Sequence, residues 1–296
     1  MKTKGIVTFA LGNPIYGKFA FNLALSCKQV CPSVPIVLYY TDSAIAELDD
    51  KRMSLFDKMI PMPVKYMRMK GSKDNDYFLP KLHLNKLAPF DVNIFLDADS
   101  LLFKDPFNQE IAYNEFQTQA YYAYDYETKQ TNNIGYDYTF WCEPERIKTM
   151  FKNKEPKRFY SLSSTFIYFE KGELVDSLLE TALSYRGRCN HPHKSFVPGG
   201  TCDELFLALA LAESNHEMIE PYVPIYFNFA EKKIKNCNTE SFIYNKHIGL
   251  TNGGNVQPLI TETLYNNLVK ALSQKNGFKP FLSQNKRAVL AERRFM

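Results

Sequence analysis

The sequence predicts an α/β protein built on a doubly wound sheet, and three observations predict it. Gly5 to Leu11 (GIVTFAL) is a short apolar run suited to a buried strand, Phe19 to Cys31 carries Leu23, Cys27 and Val30 at helical spacing and is closed by Pro32, and Val34 to Tyr40 (VPIVLYY) is a second apolar run. Strand, helix, strand at this spacing is a right-handed crossover unit. With 296 residues and 45% apolar content the chain can bury a sizeable core. The expected organisation is one large domain over residues 1–260, then a C-terminal helix and basic tail over residues 261–296.

The remaining elements follow in order. Ala44 to Phe56 reads as a helix, Ile60 to Val64 as a short extended piece, and Lys81 to Leu87 as a helix before Pro89. Asn93 to Phe103 (NIFLDADSLLF) is an apolar strand interrupted by Asp97, Ala98, Asp99 and Ser100. Beyond it come a strand at Ala120 to Tyr124, an aromatic-rich loop to Trp141, a helix near Glu145 to Phe151, a strand at Ser164 to Phe169, and helices at Leu174 to Tyr185 and Asp203 to Ala212. Gly187 to Gly200 reads as a long polar loop. Open α/β sheets gather ligands beyond the carboxyl ends of their strands, where Thr8 and Asp97 should both fall.

Composition excludes several function classes. The formal charge of +4 is concentrated at the end of the chain, where Lys275, Lys279, Lys286, Arg287, Arg293 and Arg294 oppose only Glu292, so the body is near neutral and unlike a nucleic-acid binder. The basic tail is a candidate for weak contact with an anionic membrane surface, or simply a solvated terminus. The six cysteines form no CxxC pair, which reads as free thiols in a reducing compartment. Gly12, Asn13 and Pro14 cut the first apolar run far short of a signal peptide or membrane span, so a cytoplasmic location is expected. Cys189, His191 and His193 lack a partner at metal-ligand spacing and read as a solvated loop.

The acidic pair carries the chemistry. Successive strand side chains alternate, which would put Asp97 and Asp99 on one side of the strand. Two close carboxylates repel unless a cation lies between them, and Mn²⁺ or Mg²⁺ with diphosphate oxygens is the natural resident. The plain alternative is that one Asp caps the turn while the other is solvated. A second chemical alternative is a phosphatase of the haloacid dehalogenase type, with Asp97 as nucleophile and Asp99 as acid/base. That motif normally opens its domain, whereas here a strand-helix-strand unit precedes it.

The chain resembles family 8 glycosyltransferases, the glycogenin-like group of GT-A fold. Thr8, Tyr16 and LALSCK match that family's first strand, loop Tyr and helix; KLHLNKL (Lys81 to Leu87) matches its KLHxxKL segment; Leu162-Ser163-Ser164-Thr165 and Gly199-Gly200-Thr201-Cys202-Asp203-Glu204 resemble its Asn-Ser-Gly and Gly-Gly-Asp-Gln stretches. Tyr244 to Gly249 partly fits its metal-binding His and Gly. Ser163 replaces the family's Asn, Glu204 its Gln, and Asn252, Gly253 and Gly254 stand where a phosphate-binding Lys is expected. A Gly-rich turn can bind phosphate through backbone N–H groups.

The resemblance implies a mixed central sheet with a Rossmann-like half, and a metal-dependent transferase that moves a hexose from a UDP-sugar to a hydroxyl acceptor with retention. It implies Asp97, Asp99 and His247 as metal ligands; Thr8, Tyr16, Lys81, Ser163, Ser164 and Gly249 as donor contacts; and Asp203, with Lys81, near the donor sugar. Asp125, at the end of the Ala120 to Tyr124 strand, is a candidate for a sugar hydroxyl. The stretch Tyr121 to Trp141, with six Tyr, is a candidate acceptor platform. The acceptor itself is open among glycan, lipid-linked sugar, protein and nucleic acid. A non-catalytic nucleotide-sugar-binding module on the same fold is the third reading.

Overall fold

The computed structural model describes residues 2–108, 113–133, 144–151, 155–188, 202–219, 224–226, 247–251 and 259–282. Trp141, Cys189, His191, His193, Tyr244 to Lys246, Asn252 to Gly254 and the tail beyond Leu282, all singled out in the sequence, lie outside these residues. The chain divides into two compact units, one of Met1–Val7, Ile60–Leu96 and Gln109–Val223, the other of Thr8–Met59, Asp97–Asn108 and Pro224–Met296.

The strands are β1 (Lys4–Ala10), β2 (Ile36–Tyr40), β3 (Lys58–Pro61), β4 (Val92–Leu96), β5 (Ser100–Leu102), β6 (Phe116–Asp125), β7 (Gln130–Asn133), β8 (Arg158–Glu170), β9 (Ile225–Tyr226) and β10 (Gly249–Thr251). Seven of them form a mixed sheet in the order β3-β2-β1-β4-β8-β6-β7, and β5-β10-β9 form a small second sheet. The doubly wound α/β expectation therefore holds, with the sheet mixed.

In the first unit, β1 runs parallel to β4 (Ile6 opposite Ile94), and β4 runs antiparallel to β8 (Leu96 opposite Phe166). The 13-residue β8 (RFYSLSSTFIYFE) is rich in aromatic and β-branched residues that fit a pleated surface. Against β6 its register jumps, since Thr118 faces Ile167 while the next residue, Gln119, faces Ser163. The bulge is closed by the Thr118 hydroxyl, which lies 2.9 Å from the carbonyl oxygens of both Ser163 and Phe166. Helix α6 (Glu173–Arg188) buries Val175, Leu178, Leu179, Ala182 and Tyr185, an apolar stripe at helical spacing. Helix α7 (Asp203–Ser214) is buried from Leu205 through Ala212, as its all-round apolar sequence requires, and ends on left-handed Asn215.

In the second unit, helix α1 spans Pro14–Val30. It begins earlier than the Phe19 expected from periodicity, because Asn13 Oδ1 accepts the Ile15 N–H at 2.9 Å and Pro14 occupies the first helical position. Gly12-Asn13-Pro14, read as a breaker, is a helix start. The expected helix over Ala44 to Phe56 is instead two single turns, α2 (Asp42–Ile45) and α3 (Asp50–Met53). Asp49 causes the break by capping α3 through the Arg52 N–H at 2.8 Å. Helix α8 (Leu259–Lys275) supplies the expected C-terminal helix. After left-handed Gly277, the Phe278 and Phe281 rings pack edge-on against Phe21 of α1 at 5.1 and 5.5 Å, with the Arg52 guanidinium 4.7 Å over Phe281.

Back in the first unit, Lys81 to Leu87 is a 3₁₀ turn (Leu79–His83) followed by the helical turn α4 (Leu84–Leu87). The segment near Glu145 is likewise a helical turn, α5 (Pro144–Ile147), running into 3₁₀. The stretch expected as a loop after Tyr124 is a β6–β7 hairpin as far as Asn133. Among the described residues no helix is long and apolar enough to cross a membrane, and Cys27, Cys31 and Cys202 are free thiols.

Candidate functional site

In the second unit the acidic pair lies in a turn. β4 ends at Leu96 and β5 starts at Ser100, whose N–H donates to the Asp97 carbonyl at 3.0 Å. Strand alternation therefore does not set the relation of Asp97 to Asp99, as the sequence implied; the turn does. β5 pairs antiparallel with β10, Ser100 opposite Thr251 and Leu102 opposite Gly249. That pairing brings the Thr251 hydroxyl to Asp99 Oδ1 at 3.1 Å. Both carboxylates are partly exposed.

His247, just before β10, is 2% exposed and sets its ring 5.2 Å from that of Tyr226. Gly249 has a packing reason to be Gly: a Cβ there would lie 2.4 Å from the Leu101 carbonyl oxygen and 2.8 Å from Ile225 Cδ1. Tyr265 of α8 is fully buried, accepts from Asn22 Nδ2 at 3.3 Å, and has its phenol pushed up by burial, with the Asp99 charge adding to the shift against the Asn22 hydrogen bond. Thr8 is fully buried and offers a ligand no side-chain surface. Tyr16, in the first turn of α1, is 40% exposed although its ring meets Phe19 at 6.5 Å.

Two partly exposed carboxylates are hard oxygen donors, and they fit a Mn²⁺ or Mg²⁺ ion that takes further oxygens from a diphosphate and water. Among the described residues no three His, Cys, Asp or Glu side chains are gathered closely enough to hold an ion by themselves, Asp97, Asp99 and His247 included.

The first unit holds a separate polar cluster. Lys81 is buried, its Nζ donates to Ser164 Oγ at 2.9 Å, lies 4.0 Å from Asp203 Oδ2 and sits 5.4 Å from the centre of the Phe95 ring. Asp203, at the first position of α7, is 2% exposed, and its Oδ2 has no hydrogen-bond partner among the described residues. Glu204 Oε1 accepts the Ser164 N–H at 3.0 Å, and its Oε2 lies 3.5 Å from Cys202 Sγ. Ser163 Oγ is 2.9 Å from Thr165 Oγ1. The β8 bulge is what turns this Ser-Ser-Thr run toward Lys81 and α7. Burial, reinforced by the Asp203 charge, pushes the Glu204 carboxyl up to about 7 against the opposing pull of Lys81 and the Ser164 and Ser163 hydrogen bonds. Burial likewise raises the Cys202 thiol well above its ordinary value, so it stays protonated and unreactive.

Asp125 stands apart from this cluster within the same unit. It faces Arg158 at the far end of β8, six residues and roughly 20 Å of extended chain from Ser164. Its Oδ1 accepts from Glu127 N, Thr128 N and Thr128 Oγ1 at 2.9, 2.8 and 3.1 Å, with the Thr128 N–H the main reason its carboxyl is held below the usual range. The structure thus gives Asp125 the task of closing the β6–β7 hairpin.

Sequence reasoning gave Glu204, Thr118 and Thr251 no role. Glu204 carried a signal, a carboxylate next to Asp203 at a helix start. Thr118 and Thr251 carried none, because their roles exist only through strand register.

No protein-family model and no curated sequence matches the chain. Among solved structures it is similar to the apo structure of WbbM, a bifunctional glycosyltransferase, at TM-score 0.54 and 9% identity over 92% of this chain and 50% of that one. It is also similar to the galactosyltransferase LgtC in complex with donor and acceptor sugar analogues, at TM-score 0.50 and 10% identity over 96% and 99% of the two chains. GlyE of Streptococcus pneumoniae gives 0.49 and 11% over 95% and 66%. The chain spans half the length of WbbM. At such identities the first two likenesses show the fold: this chain has the mixed α/β fold of GT-A type found in glycosyltransferase structures.

Proposed function

We propose that this protein transfers a sugar from a nucleotide-sugar donor to a hydroxyl acceptor. One observation carries the reading: a fold shared with glycosyltransferase structures has two carboxylates, Asp97 and Asp99, in the turn directly after a central strand. The finer reading, carried by the family resemblance, is a UDP-hexose donor, a divalent cation and retention by front-face attack, in which the leaving phosphate helps take the acceptor's proton.

In this reading Asp97 and Asp99 hold Mn²⁺ or Mg²⁺, and Thr251 fixes the Asp99 carboxylate through Oδ1. A bound cation supplies charge that stabilises the leaving diphosphate. His247, the third ligand that the family resemblance implies, is not gathered with Asp97 and Asp99 among the described residues. Tyr16 exposes a ring face suited to stacking on the base. Taken by itself, the first unit's cluster of Lys81, Ser164 and Asp203 has donors and acceptors of a kind suited to sugar hydroxyls.

Calorimetric titration with UDP, with and without Mn²⁺, tests the reading. Metal should tighten UDP binding in the wild type and not in Asp99→Ala. UDP binding indifferent to metal and to Asp99→Ala refutes it; phosphate released from a phosphomonoester without a UDP-sugar, and lost in Asp97→Asn, favours the phosphatase instead. Binding of UDP-sugar without turnover against any glycan, lipid-linked, protein or nucleic-acid acceptor favours the non-catalytic module.

A further inference from the structure

Among the described residues, the polar cluster of the first unit holds two adjacent carboxyl groups, Asp203 and Glu204, and one cation, Lys81. Lys81 Nζ is already directed to Ser164 Oγ at 2.9 Å and to Asp203 Oδ2 at 4.0 Å. Were both carboxylates ionised, this group, buried at Lys81 and Asp203 and part-buried at Glu204, would carry an uncompensated negative charge, which a low-dielectric interior disfavours. Among the described residues, the other elements packed on α7 bring no second cation to Glu204. From α6, Arg186 is bound to Asp76 at 3.0 Å and lies over the Phe206 ring, and β8 contributes only the hydroxyls and amide of Ser163 and Ser164. Cys202, preceding the pair, is a protonated thiol.

We infer that Glu204 is a positioning residue that stands in the fold as a neutral carboxyl group: it accepts the Ser164 N–H, keeps its own proton beside Asp203, and leaves the Lys81–Asp203 pair to a polyhydroxyl ligand. Asp203 Oδ2, buried and without a hydrogen bond among the described residues, is the acceptor such a ligand's hydroxyl would meet. Burial and the Asp203 charge, which push Glu204 up to about 7, agree with the geometry. The state of the cluster is independent of the enzymatic reading; the identity of the polyhydroxyl ligand as a donor sugar rests on that reading.

The sign follows from linkage. The folded value lies above the ordinary carboxyl value, so stability is full below the ordinary range, falls as pH rises toward about 7 while the fold retains a proton the unfolded chain has released, and levels off above it. Melting midpoints of the wild type and Glu204→Gln are compared from about pH 5 to about pH 8. The wild type should lose several degrees relative to the variant as pH rises, and Glu204→Gln should melt higher than the wild type at the alkaline end. Equal slopes, or a Gln variant that melts lower at every pH, overturn the inference, as does a carbon-13 titration of the Glu204 carboxyl with its midpoint in the ordinary carboxylate range. A Glu204→Asp variant, charged but too short to reach the Ser164 N–H, should raise KM for a UDP-sugar more than it lowers kcat. An unchanged KM removes the positioning role, whereas absence of turnover in the wild type removes only the enzymatic reading.

Discussion

Gly249 separates two explanations of one residue, a glycine kept for a phosphate and a glycine kept for a strand. In the structure a Cβ at Gly249 would stand 2.4 Å from the Leu101 carbonyl oxygen, roughly 1 Å inside ordinary contact, with Ile225 Cδ1 at 2.8 Å on another side. The carbonyl belongs to backbone and cannot swing away, so Gly249→Ala must push β10 from β5. Overpacking of this kind costs about 1–3 kcal/mol. For a chain of this size each kcal/mol lowers the melting midpoint by roughly 2–4 °C, so a fall of about 2–12 °C is expected by calorimetry.

The displacement also moves Thr251, two residues on, from Asp99 Oδ1, and losing about 1 kcal/mol of that charge-assisted hydrogen bond should weaken Mn²⁺-supported UDP binding about fivefold. If Gly249→Ala melts with the wild type while UDP binding falls, the glycine serves phosphate approach and the packing explanation is wrong. If neither changes, the β5–β10 register is wrong as well.

Three further outcomes follow from particular contacts. Ser26 Oγ accepts the buried Leu102 N–H at 2.9 Å and donates to the Leu23 carbonyl at 2.7 Å, so Ser26→Ala should cost about 1–3 kcal/mol in urea unfolding. Lys81→Met leaves the buried Asp203 without its paired cation and should cost about 3 kcal/mol or more by the same assay. Asp125→Ala should speed amide exchange at Glu127 and Thr128 without changing UDP binding. The same amides should loosen in the wild type only on acidification, because the stability from a carboxyl held low is present above its ordinary value and lost as pH falls through the depressed one.

Much of the fold was legible in the chain itself. The apolar runs at β1, β2 and β4 and the helical periods of α6 and α7 depend on local spacing, and spacing survives in any tertiary context. The aromatic and β-branched composition of β8 marked a strand, although only its last part stood out. What periodicity missed was punctuation. Asn13-Pro14 reads equally as a breaker or as a helix start, and only the Asn13 cap on Ile15 decides. Asp49 split the expected helix over Ala44 to Phe56 through a cap whose strength depends on where the chain turns.

The chemistry divides along the same line. Asp97 and Asp99 were visible because two carboxylates at the end of an oily strand contradict local preference, and such a contradiction can be read from residue order alone. The sequence by itself thus determined the α/β class, the acidic motif and Asp203-Glu204 at a helix start. Only the tertiary structure decided that Thr251 holds Asp99, that Asp125 closes a hairpin, and that part-buried Glu204 lies beside buried Asp203 and Lys81. The physical reason is range: hydrophobic period acts between residues a few positions apart, whereas register, burial and the charge balance of a cluster arise only when distant segments meet, as Lys81, Ser164 and Asp203 do through the bulge in β8.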